Sequence, residues 1–375
     1  MSSASLQRQL FAAKAFALVQ RLADGLARWT QGLVPPPFRL LQIGSAFWQS
    51  RALYVAARLD LATRLGDAAL PVPALAAQVG ADARALQRLL RLLAAMGVFE
   101  EREVGVYANN RLSAPLRDDH PHSVRAMVLM HNSPEMSRPW YEQLEPAVRS
   151  GATPFRLTHG RDLYQHMDAH PDFEALFGQA MAQVEAVTGD SFATAMDWGR
   201  FRRVIDVGGS RGAKSVSLLK RHPQLQALVV DRARAIEGAP AQWAQDAAAA
   251  ALLPRLSFEA GDLLTGPLPA ARPGDVYLLC AVLHGFADAL VVQALRRLAE
   301  VAGTQAPIML LELVMPDTRA DLAHAAFDLQ MFMGTEGGER TLAEWQSLFL
   351  RSGLELREQV LLSGFGRLLV LHSAG

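Results

Sequence analysis

Arg203-Val-Ile-Asp-Val-Gly-Gly-Ser-Arg-Gly212 is the stretch that decides the fold. Val204 to Val207 is a short apolar, β-branched run holding Asp206, and Gly208, Gly209 and Gly212 follow as a tight turn. Ala213 to Arg221 carries apolar side chains at helical spacing, which predicts a helix. Strand, glycine-rich turn and helix is the opening unit of a doubly wound α/β sheet. In such sheets ligands bind beyond the carboxyl ends of the strands. Glycine lets the backbone approach a ligand closely, because no Cβ intervenes.

The spacing narrows the ligand. A dinucleotide loop needs G-x-G-x-x-G, whereas these glycines fall as G-G-x-x-G. A phosphate-binding P-loop fails as well, since Lys214-Ser215 follows Ala213 rather than a glycine. Leu225 to Val230 predicts a second strand that closes on Asp231, whose carboxylate can accept both hydroxyls of a ribose. Leu256-Ser-Phe-Glu-Ala-Gly-Asp262 predicts a third, again ending in Gly-Asp. Carboxylates at Asp206, Asp231 and Asp262 with no phosphate cradle suit a nucleoside carrying a positive group.

Asp-Val-Gly-Gly-x-x-Gly with Asp231 and Gly261-Asp262 resembles the S-adenosylmethionine (SAM) site of class I methyltransferases. Leu278-Leu-Cys-Ala-Val-Leu-His284, Glu312-Leu-Val-Met-Pro316 and Gly337-Gly-Glu-Arg-Thr341 follow in order. Together they are similar to the family of plant caffeate-type and bacterial antibiotic- and pigment-pathway O-methyltransferases, and the likeness covers nearly the whole chain. The resemblance implies a Rossmann-like α/β catalytic domain over residues 191–375. It also implies a mostly helical, winged-helix dimerisation domain over residues 1–190, which contributes helices to the acceptor pocket.

Composition agrees with a two-domain enzyme. The 375 residues exceed one ordinary domain, half are hydrophobic and a fifth charged, as in globular proteins with sizeable cores. Lys plus Arg equals Asp plus Glu, 37 each, which argues against nucleic acid as a partner. The single cysteine, Cys280, excludes an internal disulfide or a cysteine-rich metal site and fits a buried thiol in an apolar strand. No run reaches the roughly 18 apolar residues of a membrane helix. Arg8, Lys14, Arg21 and Asp24 interrupt any signal peptide, so a cytoplasmic location is expected.

Residues 5–30 predict an amphipathic helix, with Leu6, Leu10, Phe11, Leu18, Leu22, Leu26 and Trp29 at helical spacing. Its polar face mixes signs, which favours packing on a partner subunit over a membrane surface. Pro35-Pro-Pro37 ends it. A second helix is predicted from about Phe38 to Leu65, apolar on most faces and therefore suited to a subunit interface. Residues 71–110 predict a winged helix: a short helix to Val79, a turn at Gly80, a helix from the Asp82 cap through Met96, and a wing around Gly105. Winged helices often bind DNA, but this wing carries Glu100, Glu101 and Glu103. Helices punctuated by Pro and Gly are expected over 111–190, one more over Gln242 to Leu253, and a finishing hairpin over Leu354 to Leu371 turning at Ser363-Gly364.

The chemistry falls on three residues. His284 ends an apolar strand predicted over Val276 to Leu283, on the same rim as the glycine turn. A phenol titrates near 10, so a base beside its oxygen speeds attack at neutral pH. A histidine base needs its other nitrogen held by an acceptor. Glu312, after the strand Ile308 to Leu311, and Glu339, before a helix capped by Thr341 with Glu344 completing the box, are the candidates. Glu339 has rival assignments as the ion-pair partner of Arg340 or as an anion at the helix dipole.

The resemblance implies further roles. Gly208, with Gly209 and Gly212 beside it, would meet the methionine portion of SAM, Asp231 the ribose, Asp262 the adenine amine and Leu263 the adenine face. Asp206 and Cys280 lie on the same rim. His131, Asn132, Trp140, Met181, Met331 and Phe332 match acceptor-lining positions. This chain departs from the family in three places: Ser210 replaces the central glycine of the turn, Gly285-Phe286 replaces Asp-Trp, and Ala281 replaces an arginine usual in bacterial members. The expectation is a homodimeric SAM-dependent O-methyltransferase acting on a small aromatic or heteroaromatic secondary metabolite, with no metal. Carbon, nitrogen or pigment methylation on the same scaffold is the alternative, and a winged-helix DNA-binding regulator the third.

Overall fold

The computed structural model describes residues 19, 22, 25–26, 29–30, 32–362 and 366–374. Most of the helix expected over 5–30 and the turn at Ser363-Gly364 lie outside the described residues. The chain divides into two compact units, Gly25–Gly189 and Asp190–Gly375.

In the first unit β1 (Ala69–Pro71), β2 (Phe99–Glu103) and β3 (Val106–Asn109) form an antiparallel sheet in the order β1-β3-β2. The helix Val72–Val79 stops at Gly80, which sits at φ 65°, in the left-handed region that glycine adopts without strain. The helix Ala83–Ala95 starts where Asp82 Oδ1 accepts the Ala85 N–H at 2.8 Å. Leu61, Leu75, Leu90, Phe99 and Tyr107 fill the core between helices and sheet. This is a winged helix with one strand, β1, that the sequence pattern did not disclose.

The long helix expected over 38–65 is broken into Pro36–Gly44, Ala46–Arg58 and Leu61–Leu65. Asp60 takes φ 56° at the second break, a conformation no helix continues through. The leading helix buries nothing, leaving Phe38, Leu40, Leu41 and Ile43 exposed. Further along, the helices of residues 125–188 pack around Met130, Met136, Phe155 and Phe173.

The second unit is the doubly wound sheet. Its strands are β4 (Arg203–Val207), β5 (Gln226–Asp231), β6 (Leu256–Ala260), β7 (Asp275–Cys280), β8 (Ile308–Met315), β9 (Arg340–Thr341), β10 (Leu354–Leu361) and β11 (Gly366–Ser373). They run in the order β10-β11-β8-β7-β4-β5-β6, with β9 joining β8. All pairs from β8 to β6 are parallel, and β11 and β10 close the edge antiparallel. Alternation along β4 sends Ile205 and Val207 to one helical layer, with Trp345 and Phe349, and Val204 to the other, with Trp198 and Phe192. The order reverses at β4, so a crevice opens beyond the ends of β4, β5 and β7.

Two more elements are shorter than the sequence pattern implied. The helix expected over 242–253 divides into Ala239–Ala244 and Ala247–Ala250, because Asp246 caps a fresh start by accepting the Ala248 N–H at 2.9 Å. Strand β7 stops at Cys280, not Leu283. Ala281 follows at φ 52°, and His284 rides on a short 3₁₀ turn, Leu283–Gly285. Glu312 lies inside β8 rather than after it.

Candidate active site

The glycine turn is built on Asp206, which is fully buried and accepts the Ser215 hydroxyl at 2.7 Å through Oδ2. A Cβ at Gly209 would come within 2.6 Å of the Asp206 carboxyl carbon, so the turn can close over that side chain only as glycine. Gly208 has φ 76°, and its Cβ would meet Val282 at 2.8 Å. Asp206 thus supports the turn from beneath, while Gly208 faces the segment that carries His284.

On the rim, Asp231 accepts the Ser210 N–H through Oδ2 and the Arg232 N–H through Oδ1, each at 2.7 Å. A carboxylate has about four lone-pair sites, so two remain for a diol. Asp262 Oδ1 accepts the amides of Leu264 and Thr265 at 2.7 and 2.8 Å. Burial alone would raise the Asp262 pKa, but those amides and the Arg297 charge hold it below the usual carboxylate range. Arg297 donates to the carbonyls of Asp262, Leu263 and Gly266, fixing the loop after β6. Leu263 is half-buried against the core, and Cys280 is partly exposed at the end of β7. Arg211, inside the glycine turn, donates to Gln242 at 2.6 Å. The carboxylates of Asp231 and Asp262 fit a ribose and an amine.

His284 is held by two glutamates. Its Nδ1 lies 2.7 Å from Glu339 Oε1 and 3.8 Å from Glu312 Oε2. An ionised carboxylate only accepts, so Nδ1 carries the proton and Nε2 is left with a lone pair. Glu312 is buried and does a second thing: its Oε1 accepts the N–H groups of Val282 and Leu283 at 3.2 and 2.9 Å. Burial by itself would lower the His284 pKa, but Glu312 and Glu339 outweigh it and raise the pKa above the ordinary histidine value. Burial raises the Glu312 pKa, against the pull of His284 and the two amides.

The Gly337-Gly-Glu-Arg-Thr341 motif works as one piece. A Cβ on Gly337 would collide with the His284 carbonyl oxygen. Gly338 N–H donates to that same carbonyl at 2.9 Å. Glu339 reaches the imidazole, and its own N–H is taken by Asp328 Oδ1 at 2.9 Å. Thr341 and Glu344 form a reciprocal capping box on the next helix. Glu339 therefore does not pair with Arg340; that guanidinium goes to Asp288.

Among the positions expected to line the acceptor, Met331 and Phe332 are half-buried on the helix Leu322–Gly334. That helix also brings Phe327, whose ring is 6.0 Å from the His284 ring, and Asp328, neither of which any spacing signal marked. His131, Asn132, Trp140 and Met181 belong to the first unit. Asn132 is engaged there: its backbone carbonyl accepts Arg51 Nη1 at 2.7 Å and its Oδ1 the Ser50 hydroxyl at 3.2 Å, tying the helix Ala46–Arg58 to the end of the helix Arg125–His131. Trp140 is half-buried, and Met181 is 36% exposed.

A doubly wound sheet whose switch point sets carboxylates for a ribose and an amine beside a glycine turn is that of a class I SAM-dependent methyltransferase. The O-methyltransferase domain family matches residues 141–355, and the O-methyltransferase dimerisation domain matches residues 41–117. The chain belongs to this O-methyltransferase family. It is similar to the phenazine O-methyltransferase of Lysobacter antibioticus, 32% identical over 335 residues, which cover 89% of this chain and 95% of that one. It is also similar to the phenazine-1-carboxylate N-methyltransferase of Pseudomonas aeruginosa, 29% identical over 335 residues, with 89% and 97% covered. Among solved structures, an O-methyltransferase of neocarzinostatin biosynthesis, in complex with SAM and 2-hydroxy-5-methyl naphthoic acid, superposes with TM-score 0.72. It is 29% identical, and the match covers 87% of this chain and 96% of that one.

Proposed function

We propose that this enzyme methylates a hydroxyl of a small aromatic or heteroaromatic metabolite, with His284 as the general base. The observation that carries this is the 2.7 Å bond from His284 Nδ1 to Glu339, which leaves Nε2 as the proton acceptor. SAM, when bound, supplies a methyl group already activated by its sulfonium. The remaining work belongs to the chain. Asp231 holds the ribose hydroxyls, Asp262 the adenine amine, Leu263 the adenine face, and Gly208 gives the methionine portion room. Cys280 flanks that rim. His284 takes the acceptor's proton, and Glu312 and Glu339 steady the imidazolium that results.

Residues 191–375 form the catalytic domain in this account. Residues 1–190 form the domain that pairs two copies, and His131, Asn132, Trp140 and Met181 are its candidates for contacting the acceptor. The three exposed glutamates of the wing, Glu100, Glu101 and Glu103, support a partner other than nucleic acid.

The test is purified protein incubated with SAM and a panel of phenols, hydroxynaphthoates and hydroxyphenazines, read by product mass. His284→Gln should abolish transfer while SAM affinity, measured by calorimetry, stays within about twofold. Unchanged turnover in that variant would favour an acceptor that needs no base, such as the ring nitrogen methylated by the Pseudomonas relative's reaction.

A further inference from the structure

The base is only as well placed as the turn that bears it. Ala281 to Phe286 leaves the sheet at a left-handed residue and continues as a single 3₁₀ turn, closed from within only by long bonds from Gly285 N–H to Val282 and Phe286 N–H to Leu283, 3.4 and 3.2 Å. Arg340 braces it from outside. Its guanidinium donates to the Phe286 carbonyl at 2.7 Å and to the Leu283 carbonyl at 3.4 Å, on either side of His284. It also donates to the Gly338 carbonyl at 3.3 Å, on the segment that presents Glu339. The fork is aimed by Asp288, 2.8–2.9 Å away at the start of the helix Asp288–Ala302, and backed by the Trp345 ring at 5.1 Å. Arg340 is 7% exposed, and Trp345 is fully buried.

We propose that Arg340, aimed by Asp288, is a positioning residue for the catalytic base: one planar cation that locks the His284 turn and the Glu339 strand in a single register. Only a guanidinium has the geometry to bond carbonyls on two segments and a carboxylate at once; an ammonium is a point charge. The inference rests on His284 being the base. The cation has a second consequence. Glu312 and Glu339 face the imidazole and favour its protonated form, whereas Arg340 opposes it. Asp288 neutralises part of that opposition, and Asp328 accepts the Glu339 amide.

Histidine-selective ¹⁵N NMR on the full-length, SAM-saturated protein tests this, with the His284 signals assigned by their absence in His284→Gln. Wild type should give one sharp set with Nδ1 protonated. Arg340→Met should split or broaden that set and move its titration up by about one pH unit, with SAM affinity within twofold. Transfer to the best acceptor of the arene panel should fall about 100-fold in kcat, the usual result of misplacing a reacting group. Arg340→Lys keeps the charge and folds more readily; its titration should stay near that of wild type while the tautomer signal still broadens. Signals in both variants that superpose on wild type across pH would overturn the proposal. So would loss of SAM binding in step with kcat, which would mark a merely structural residue. Full turnover in His284→Gln would instead remove the base itself, and the NMR arms would still report on the clamp.

Discussion

Glu312 Oε1 accepts the backbone N–H of Leu283 at 2.9 Å, 29 residues back along the chain, while its other oxygen faces the imidazole of His284. One buried carboxylate thus shapes the turn and charges the base. The two jobs separate by substitution. Glu312→Gln keeps an oxygen for the amides of Val282 and Leu283 and discards the charge. It should unfold near the wild-type denaturant midpoint yet lower the His284 pKa. Glu312→Ala leaves both amides unmet in the interior and should lose about 2–4 kcal/mol of stability. Chemical denaturation beside a histidine titration checks the pair; equal destabilisation by both variants would refute the division.

The pH dependence follows from the raised His284 pKa. A base works only when neutral, so kcat/KM should fall on the acid side with a midpoint above the ordinary histidine value of about 6.5. The stability sign runs the other way. A group whose folded pKa is raised contributes stability that is whole below its unfolded pKa, and that contribution is lost as pH rises through the folded value. The imidazolium–glutamate contact should therefore strengthen the fold at about pH 6 relative to pH 9, and His284→Gln should flatten that slope. A rate profile whose acid limb lies below 6 would contradict the geometry.

The catalytic half was the more legible one because its signals are local. Glycines in fixed register and the apolar run closing on Asp231 mark strand ends, although β6 stops at Ala260, two residues short of Asp262. What stayed hidden depends on contacts far apart in sequence. Nothing near Leu283 foretells that β7 stops at Cys280; the cause is a positive φ at Ala281 and a carboxylate from β8. Arg340 sits next to Glu339 and could have been its partner, but Asp288, distant in sequence, takes it. Phe327 and Asp328 lie on a helix whose period says nothing about which face meets His284. The break at Asp60 is likewise invisible in a run of apolar residues.

Cys280 is the chain's one cysteine and lies partly exposed where β7 ends, beside the strand that carries the glycine turn. Thiol labelling therefore reads a single position. If Cys280 flanks the cofactor, SAM at one hundred times its Kd should slow alkylation by roughly 100-fold, since only the free form reacts. Labelling at the same rate with and without SAM would take Cys280 off the rim and leave Asp231 and Asp262 untouched as candidates.

Gly337 tests how tightly the base turn is held. The ideal Cβ of an alanine there points into the His284 carbonyl and Gly285. Backbone cannot swing aside as a flexible side chain can, so Gly337→Ala should cost about 1–3 kcal/mol and displace the imidazole. Transfer should fall by about 100-fold while SAM affinity holds. Gly303→Ala is the useful contrast: a Cβ there meets nothing within 4 Å, though its φ of 55° brings its own strain. That variant should lose some stability and keep its turnover.

The apolar surface of the N-terminal unit calls for a partner. Phe38, Leu40, Leu41, Ile43 and Trp48 are each about 60–70% exposed, on helices with few buried residues. Single exposed apolar residues are ordinary, but a contiguous run of large ones marks an interface. The matched dimerisation domain begins at residue 41, inside this run. Light scattering should accordingly give twice the 40.8 kDa of one chain at micromolar concentration. Replacing Leu40 and Leu41 with glutamate places charges where apolar contact is needed, and should shift the population toward monomer while leaving the wing's core, at Leu75 and Leu90, intact. A wild-type mass of one chain would show that some other partner covers these helices.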